Sequence, residues 1–302
     1  MEEMTTGLCP KCGHTLQIPA ELERFSCMYC GERLTKRQLL TQPEEASCSE
    51  EDCAVSFDHA VSRLGWCVQN FRGYQKKILR DAFFEAFETY ETGCAPVIQE
   101  LNSGVRPERQ TELLERAAEA MLDELSAGWE KKNDMEDEKV VLAIFFVPMV
   151  RKLQLPVSEE FVSLLQKKWV ERYPKSPFYL GDYESISGGF RKKFLGLCFI
   201  TTAVCQELGK PDDCEELTAF RAFRDGYLAA QPDGEALIRE YYNIAPGIVT
   251  CINTCSDRHA SYERIREQYL TPCYEDLLAG RNADCKTRYV QMVRDLEREY
   301  LN

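Results

Sequence analysis

Four cysteines in the first 30 residues have the spacing of a metal-binding site. Cys9 and Cys12 form one C-x-x-C pair, and Cys27 and Cys30 form a second pair after fourteen intervening residues. A glycine follows each pair and allows the backbone to turn toward the thiolates. Four thiolates in two such turns suit tetrahedral Zn²⁺ and leave no open position for water or substrate. The spacing therefore predicts one structural zinc ion.

This segment resembles a zinc ribbon, which predicts that residues 1–40 form a small domain around the metal. So short a segment buries too little surface to fold alone, so zinc would supply its folding energy. Acidic and basic side chains are nearly balanced between Leu8 and Leu40. That balance favours a protein partner over nucleic acid. The acidic, polar residues 41–53 that follow are predicted to be a linker.

The composition limits the classes of function. The chain has 302 residues, with 50 acidic and 37 basic side chains and a net charge of −13. So acidic a protein repels phosphate backbones, which argues against nucleic-acid binding. The 15 cysteines are odd in number, and the first residues lack the basic and apolar regions of a signal peptide. Together these features predict a reducing, cytoplasmic location.

Helical periodicity dominates residues 54–180, which are predicted to form a helical domain. Apolar residues step by three and four from 57 to 78 and from 83 to 90. Gly93 is expected to end the second run, Pro107 to open the next helix and Ser158 to cap a later one.

The longest apolar run of the chain covers residues 140–150. It is shorter than the ~20 residues that cross a bilayer, and Pro148 interrupts it. A buried core helix is therefore predicted there, and no membrane segment. Residues 179–190 are predicted to be a hinge-like connection, with Gly188 and Gly189 as its loosest point.

Three sequence blocks follow within residues 190–302. In order and spacing they resemble a bacterial carboxy-terminal domain called the CFI-box, a recurring module with no firmly established chemistry. The resemblance implies a helical C-terminal domain and does not imply a reaction. The matching positions are Cys198, Phe199, Ile200, Thr202, Ala203, Arg221, Phe223, Arg224, Asp225, Leu228, Gly234, Arg239, Tyr241, Tyr242 and Pro246.

The charged residues of these blocks allow two interpretations. Arg221 and Asp225 have the i,i+4 spacing of a helix-face ion pair, with Arg224 beside them, and such a network would tie the helix to its neighbours. Alternatively, the arginines line an anion or carboxylate pocket, to which Tyr241 or Tyr242 supplies a hydroxyl.

The cysteines of this region also allow alternatives. Cys251, Cys255 and His259 would share one face of a continuous helix and could hold a second metal, zinc or copper. Otherwise these thiols are small buried apolar groups. Cys198 could act as a nucleophile, for which His259 is the only histidine in the same region to serve as a base.

The sequence thus predicts a mostly α-helical protein with a small N-terminal zinc ribbon, a multi-helix body and a C-terminal helical domain. The predicted function is that of a non-catalytic, cytosolic zinc-binding protein that acts as an interaction module or adaptor for a protein partner. One alternative is a cysteine-dependent enzyme that uses Cys198. Another is a thiol-rich metal or redox sensor that uses Cys251, Cys255 and His259.

Overall fold

A computed structural model describes residues 4–8, 15–19, 22–29, 31–36, 50–131, 133–191 and 198–302. The fold is mostly helical, as the sequence predicts, and it divides into two compact units, Met1–Cys53 and Ala54–Asn302. Among the helices in these ranges, none is both long and apolar enough to cross a membrane.

The first unit contains two short antiparallel hairpins. Strand β1 (Met4–Leu8) pairs with β2 (Thr15–Pro19), and β3 (Arg24–Ser26) pairs with β4 (Arg33–Thr35). Leu16, Cys27 and Leu34 form its small buried cluster, against which Phe25 packs.

The second unit is helical throughout its described length. Its first half contains α1 (Glu50–Leu64, of which the first four residues belong to the first unit), α2 (Trp66–Gln69), α3 (Phe83–Gly104), α4 (Gln110–Ala127), α5 (Asp134–Val141), α6 (Val147–Lys152) and α7 (Ser158–Arg172), with 3₁₀ turns at Tyr74–Lys77 and Pro107–Arg109. Its second half contains α8 (Tyr183–Arg191), α9 (Phe199–Glu207), α10 (Glu215–Ala222), α11 (Gly234–Cys255), α12 (Arg258–Ile265), α13 (Thr271–Leu278) and α14 (Asn282–Tyr300). Three π-helical turns continue helices without a break: Leu142–Phe146, Phe223–Leu228 and Arg266–Leu270.

The buried core helix predicted at 140–150 is confirmed. Its side chains from Val141 to Val147 are all fully buried. The π turn Leu142–Phe146 ends two residues before Pro148, which has no N–H to donate to the preceding turn. Widening the helix there keeps it continuous across the proline.

Two predicted interruptions are instead helical. Gly93 does not end α3, which continues through Pro96 to Gly104 because its buried face also continues. One glycine inside a helix costs only ~1 kcal/mol, which that packing outweighs. The predicted hinge at Gly188 and Gly189 is likewise wrong, since α8 runs through both and buries Phe190.

Two predicted boundaries also differ. Ser158 is the first residue of α7 but does not cap it. Its hydroxyl donates to the Val150 carbonyl at 2.7 Å and accepts from the Leu155 N–H at 3.2 Å, so it fastens the turn before the helix. Helix α1 already begins at Glu50, within the predicted linker. The remainder of that linker, 41–49, lies outside the described residues.

A single hydrophobic core spans both halves of the second unit. The rings of Phe83 in α3 and Phe190 in α8 stack with centroids 4.4 Å apart. Helix α11 packs against α8, α9, α14 and the π turn Leu142–Phe146. The boundary predicted between 180 and 190 therefore does not separate two cores.

Candidate functional site

A buried arginine lies at the centre of the motif blocks. Arg224 is only 8% exposed and lies in the π turn Phe223–Leu228. Its Nη1 donates to the Tyr242 hydroxyl at 3.0 Å and to the Cys198 Sγ at 3.7 Å. Its Nε and Nη2 donate to the two carboxylate oxygens of Asp225 at 2.6 and 2.7 Å. The fold thus brings together residues from all three blocks.

The electrostatics of this cluster favour a neutral thiol. Hydrogen bonding to Asp225 raises the pKa of Arg224, and the same contact lowers the pKa of Asp225. Burial raises the pKa of Cys198, and the nearby guanidinium only partly offsets that effect. Because the thiolate is the nucleophilic form, Cys198 is not activated in this arrangement. It serves as an acceptor for Arg224.

A second chain of hydrogen bonds fixes the start of α9. The Ile200 N–H is one of the groups that a helix leaves without an internal partner at its N-terminus. It donates to the Tyr241 hydroxyl at 3.0 Å. Tyr289 in α14 donates to Tyr241 at 3.4 Å, and its hydroxyl lies 3.1 Å from Thr201 Oγ1. Burial raises the pKa of both phenols, so they remain protonated and structural.

Two predicted members of this cluster have other partners. Arg221 donates to the Asp212 carbonyl at 2.7 Å and to its carboxylate at 2.8 Å. The predicted ion pair with Asp225 is therefore wrong, because the π turn moves Asp225 out of the i,i+4 register. Arg239 is exposed and donates to Glu235 at 2.8 Å. Neither Tyr289 nor Thr201 was singled out from the sequence, which carries no signal for contacts so distant along the chain.

A small apolar cavity of about 60 Å³ adjoins Cys198 and Arg224. Phe220, Leu228 and Val293 contribute to its walls. The volume accommodates a few water-sized groups and is well below the ~300 Å³ at which small-molecule pockets begin. Of the residues predicted to line an anion pocket, Arg224 and Tyr241 border this cavity, and Arg221 and Tyr242 do not.

Cys251, Cys255 and His259 do not share a helix face. Helix α11 ends at Cys255, the next residue is extended, and Asp257 caps the new helix α12. His259 is exposed, and its Nδ1 lies 3.5 Å from the Glu207 carboxylate. Within the described ranges, no group of three histidine, cysteine or acidic side chains is placed to hold a metal. The two thiols instead contribute to the wall of a larger pocket of about 420 Å³.

Of the predicted zinc ligands, Cys9, Cys12 and Cys30 lie outside the described residues. Cys27 is buried, and its N–H donates to the Glu32 carbonyl at 2.8 Å. Gly31 donates back to the Cys27 carbonyl at 2.9 Å and has a φ of +72°. This left-handed conformation is the one that glycine adopts readily. Cys27 and Gly31 therefore lie in the tight turn between β3 and β4.

The two features that stand out are the buried network around Arg224 and the cysteine-bearing hairpins. In the network, the Asp225 carboxylate balances the charge of the Arg224 guanidinium. Burial raises the pKa of Cys198, which keeps its thiol protonated and uncharged. No family model, no curated protein and no solved structure matched this chain.

Proposed function

We propose that the protein is a non-catalytic, cytosolic zinc-binding protein that recognises a protein partner. Cys9, Cys12, Cys27 and Cys30 would hold one structural Zn²⁺ in the hairpin unit. The observation that carries this proposal is that Cys27 is buried at the turn between β3 and β4. Along the sequence, Cys9 and Cys12 fall between the segments that form β1 and β2. In a zinc ribbon, two such turns face each other across the metal.

The exposed side chains of the second turn support a role in protein recognition. Met28 is 77% exposed and Tyr29 is 57% exposed, although they are the two residues that follow the buried Cys27 in the chain. Aromatic residues and methionine are enriched where proteins bind one another. A metal bound at the turn would hold these two side chains in place before binding, which lowers the entropy cost of association.

The helical unit would act as a rigid scaffold. Its resemblance to the CFI-box supports a recurring module in which Arg224 ties α9, the π turn and α11 together. The burial of Cys198 and the absence of a histidine among its described contacts disfavour the cysteine-enzyme alternative. The sensor alternative requires accessible thiols, whereas Cys251 and Cys255 are 1% and 5% exposed.

The zinc content of the purified full chain tests the metal site. We expect one zinc ion per chain in the parent and none in the Cys9→Ser/Cys12→Ser variant, because two remaining thiolates bind zinc far more weakly. The matched control is Cys251→Ser/Cys255→Ser, which should retain one ion. Zinc that survives loss of Cys9 and Cys12 would contradict the proposal.

Co-purification of the tagged full chain from its native cells tests the recognition role. The Met28→Ser/Tyr29→Ser variant should keep its zinc and lose a partner that the parent retains. Leu278→Ser is the matched control, because Leu278 is also large, apolar and exposed, at 70%, but lies in the helical unit. A partner that is retained by the double variant and lost by the control would place recognition on the helical unit and refute this part of the proposal.

A further inference from the structure

The larger pocket lies wholly within the helical unit, between α5, α11, α12, α14 and the 3₁₀ turn Tyr74–Lys77. Its volume of about 420 Å³ is in the range of pockets that bind small molecules. Val140 contributes an apolar surface, together with the thiols of Cys251 and Cys255.

One wall of this pocket contains a buried amide without a partner. Gln75 is 5% exposed, and its Oε1 has no hydrogen-bond partner in the described part of the chain. Buried polar atoms are nearly always hydrogen-bonded, because desolvating an acceptor without replacing its bond destabilises the fold. Gln75 therefore calls for an explanation, and a donor supplied by a ligand would provide one.

Asp137 is the second open acceptor. It is partly buried, and no ion pair or side-chain hydrogen bond joins its carboxylate to any described residue. Burial is the main cause that raises the pKa of Asp137, and the charge of Asp134 adds to it, while Arg72 and Lys76 act in the opposite direction. Among the described residues, the carboxylate thus has no ion-pair partner within 4 Å, and Arg72 and Lys76 act on it from farther away.

The cationic side chains of the pocket, in contrast, are already paired with carboxylates. Lys139 donates to Ser176 Oγ at 2.7 Å and forms an ion pair with Glu136. Arg264 donates to Glu299 at 2.6 Å. The Cys251 thiol lies 3.6 Å from the Tyr300 carbonyl. Each cation therefore has its own carboxylate, and Asp137 remains as the uncompensated charge.

We propose that this pocket binds a small organic cation, an alkylammonium or alkylguanidinium ion. Its N–H groups would donate to Asp137 and Gln75, and its alkyl part would lie against Val140, Cys251 and Cys255. An anion would meet the open carboxylate, whereas both cationic side chains of the pocket already pair with carboxylates of their own. This site is independent of the zinc site, so either proposal can fail without the other.

Isothermal titration calorimetry of the full chain tests the proposal. The probes are butylguanidinium and butylammonium chloride, with sodium butyrate as the anionic match, all at the same ionic strength. We expect one site for the cations and none for butyrate. Asp137→Asn should weaken cation binding at least about tenfold, through loss of a charge-assisted hydrogen bond.

The matched control is Asp58→Asn. The net charge of −13 attracts any cation, so the control must change the charge by the same amount. Asp58 lies on the exposed surface of α1, where its side chain is 62% exposed. Its replacement should leave cation binding unchanged. Equal losses in the two variants would show that the cations only screen the surface, and would overturn the proposal.

The Gln75→Met variant distinguishes a ligand-binding glutamine from a purely structural one, through its melting temperature and its affinity for the cation. Methionine keeps the shape and removes the open acceptor, so the melting temperature should rise by roughly 2 °C while the cation binds less tightly. A structural glutamine would instead lose stability on replacement, with binding unchanged.

Chemical-shift mapping on the parent protein covers the case in which a variant fails to fold. Cation-induced shifts should cluster at α5 and the C-terminal end of α11. Shifts elsewhere, binding of butyrate, or no binding of either cation would overturn the proposal.

Discussion

Replacing Arg72 with methionine should destabilise the helical unit by about 3 kcal/mol. Its Nε donates to Glu138 Oε1 at 2.6 Å, and its Nη2 donates to the Gly128 carbonyl at 2.9 Å. The Glu138 side chain is fully buried, and its other described partner is the Trp129 indole N–H at 2.7 Å. Removing the arginine leaves a buried carboxylate without its counter-charge, which costs far more than loss of a surface ion pair.

The pH dependence of this loss has a definite sign. Burial raises the pKa of Glu138, and the hydrogen bonds from Trp129 and Arg72 only partly oppose it. Arg72→Met removes one opposing contact, so the pKa of the folded state rises further. Between the unfolded and folded pKa values the folded state then binds more protons, and stability falls as pH rises through that window. The loss should therefore be smaller at about pH 5 than at about pH 8.

Urea denaturation followed by tryptophan fluorescence measures the loss of stability in the helical unit. Trp66, Trp129 and Trp169 are the only tryptophans of the chain, and all lie in the helical unit. Arg116→Met is the control, because Arg116 pairs with Asp58 where both side chains are about 60% exposed. It should cost less than about 1 kcal/mol. Equal losses in the two variants would show that the Arg72–Glu138 pair contributes no more than a surface pair.

Gly247→Ala should destabilise the same unit by about 3 kcal/mol or prevent its folding. An added Cβ would lie 1.9 Å from the Ile78 carbonyl oxygen and 3.1 Å from its carbon. These are backbone atoms and cannot move aside as a flexible side chain can. Asn243 in the same helix also accepts the Arg80 N–H at 3.0 Å, so α11 is held against this segment.

Gly188→Ala is the matched control for the glycine prediction. Gly188 is also within a helix, and an added Cβ would have no heavy atom within 4 Å. The alanine variant should be more stable by about 0.5–1 kcal/mol, because alanine loses less backbone entropy in a helix. Urea denaturation followed by tryptophan fluorescence again measures the free energy of unfolding of the two variants. A Gly247→Ala protein as stable as the parent would refute the close approach of α11 to Ile78.

The sequence by itself determined the helical class and the buried helix at 140–150. Both follow from periodicity and apolar runs, which are local properties of the chain. It also located the C-x-x-C pair whose first cysteine and following glycine lie in the turn between β3 and β4. The zinc ion, the CFI-box relationship and the partner remain predictions from the sequence.

The tertiary structure decided which side chains meet. The i,i+4 rule paired Arg221 with Asp225, but a π turn moved Asp225 onto Arg224, since local spacing is preserved only where the helix is regular. Likewise, the extended residue after Cys255 separates His259 from the two thiols. The contacts between Tyr289 and Thr201, and the open acceptors of Gln75 and Asp137, depend on how distant helices pack. No periodicity encodes such contacts, because they arise only when the whole core is assembled.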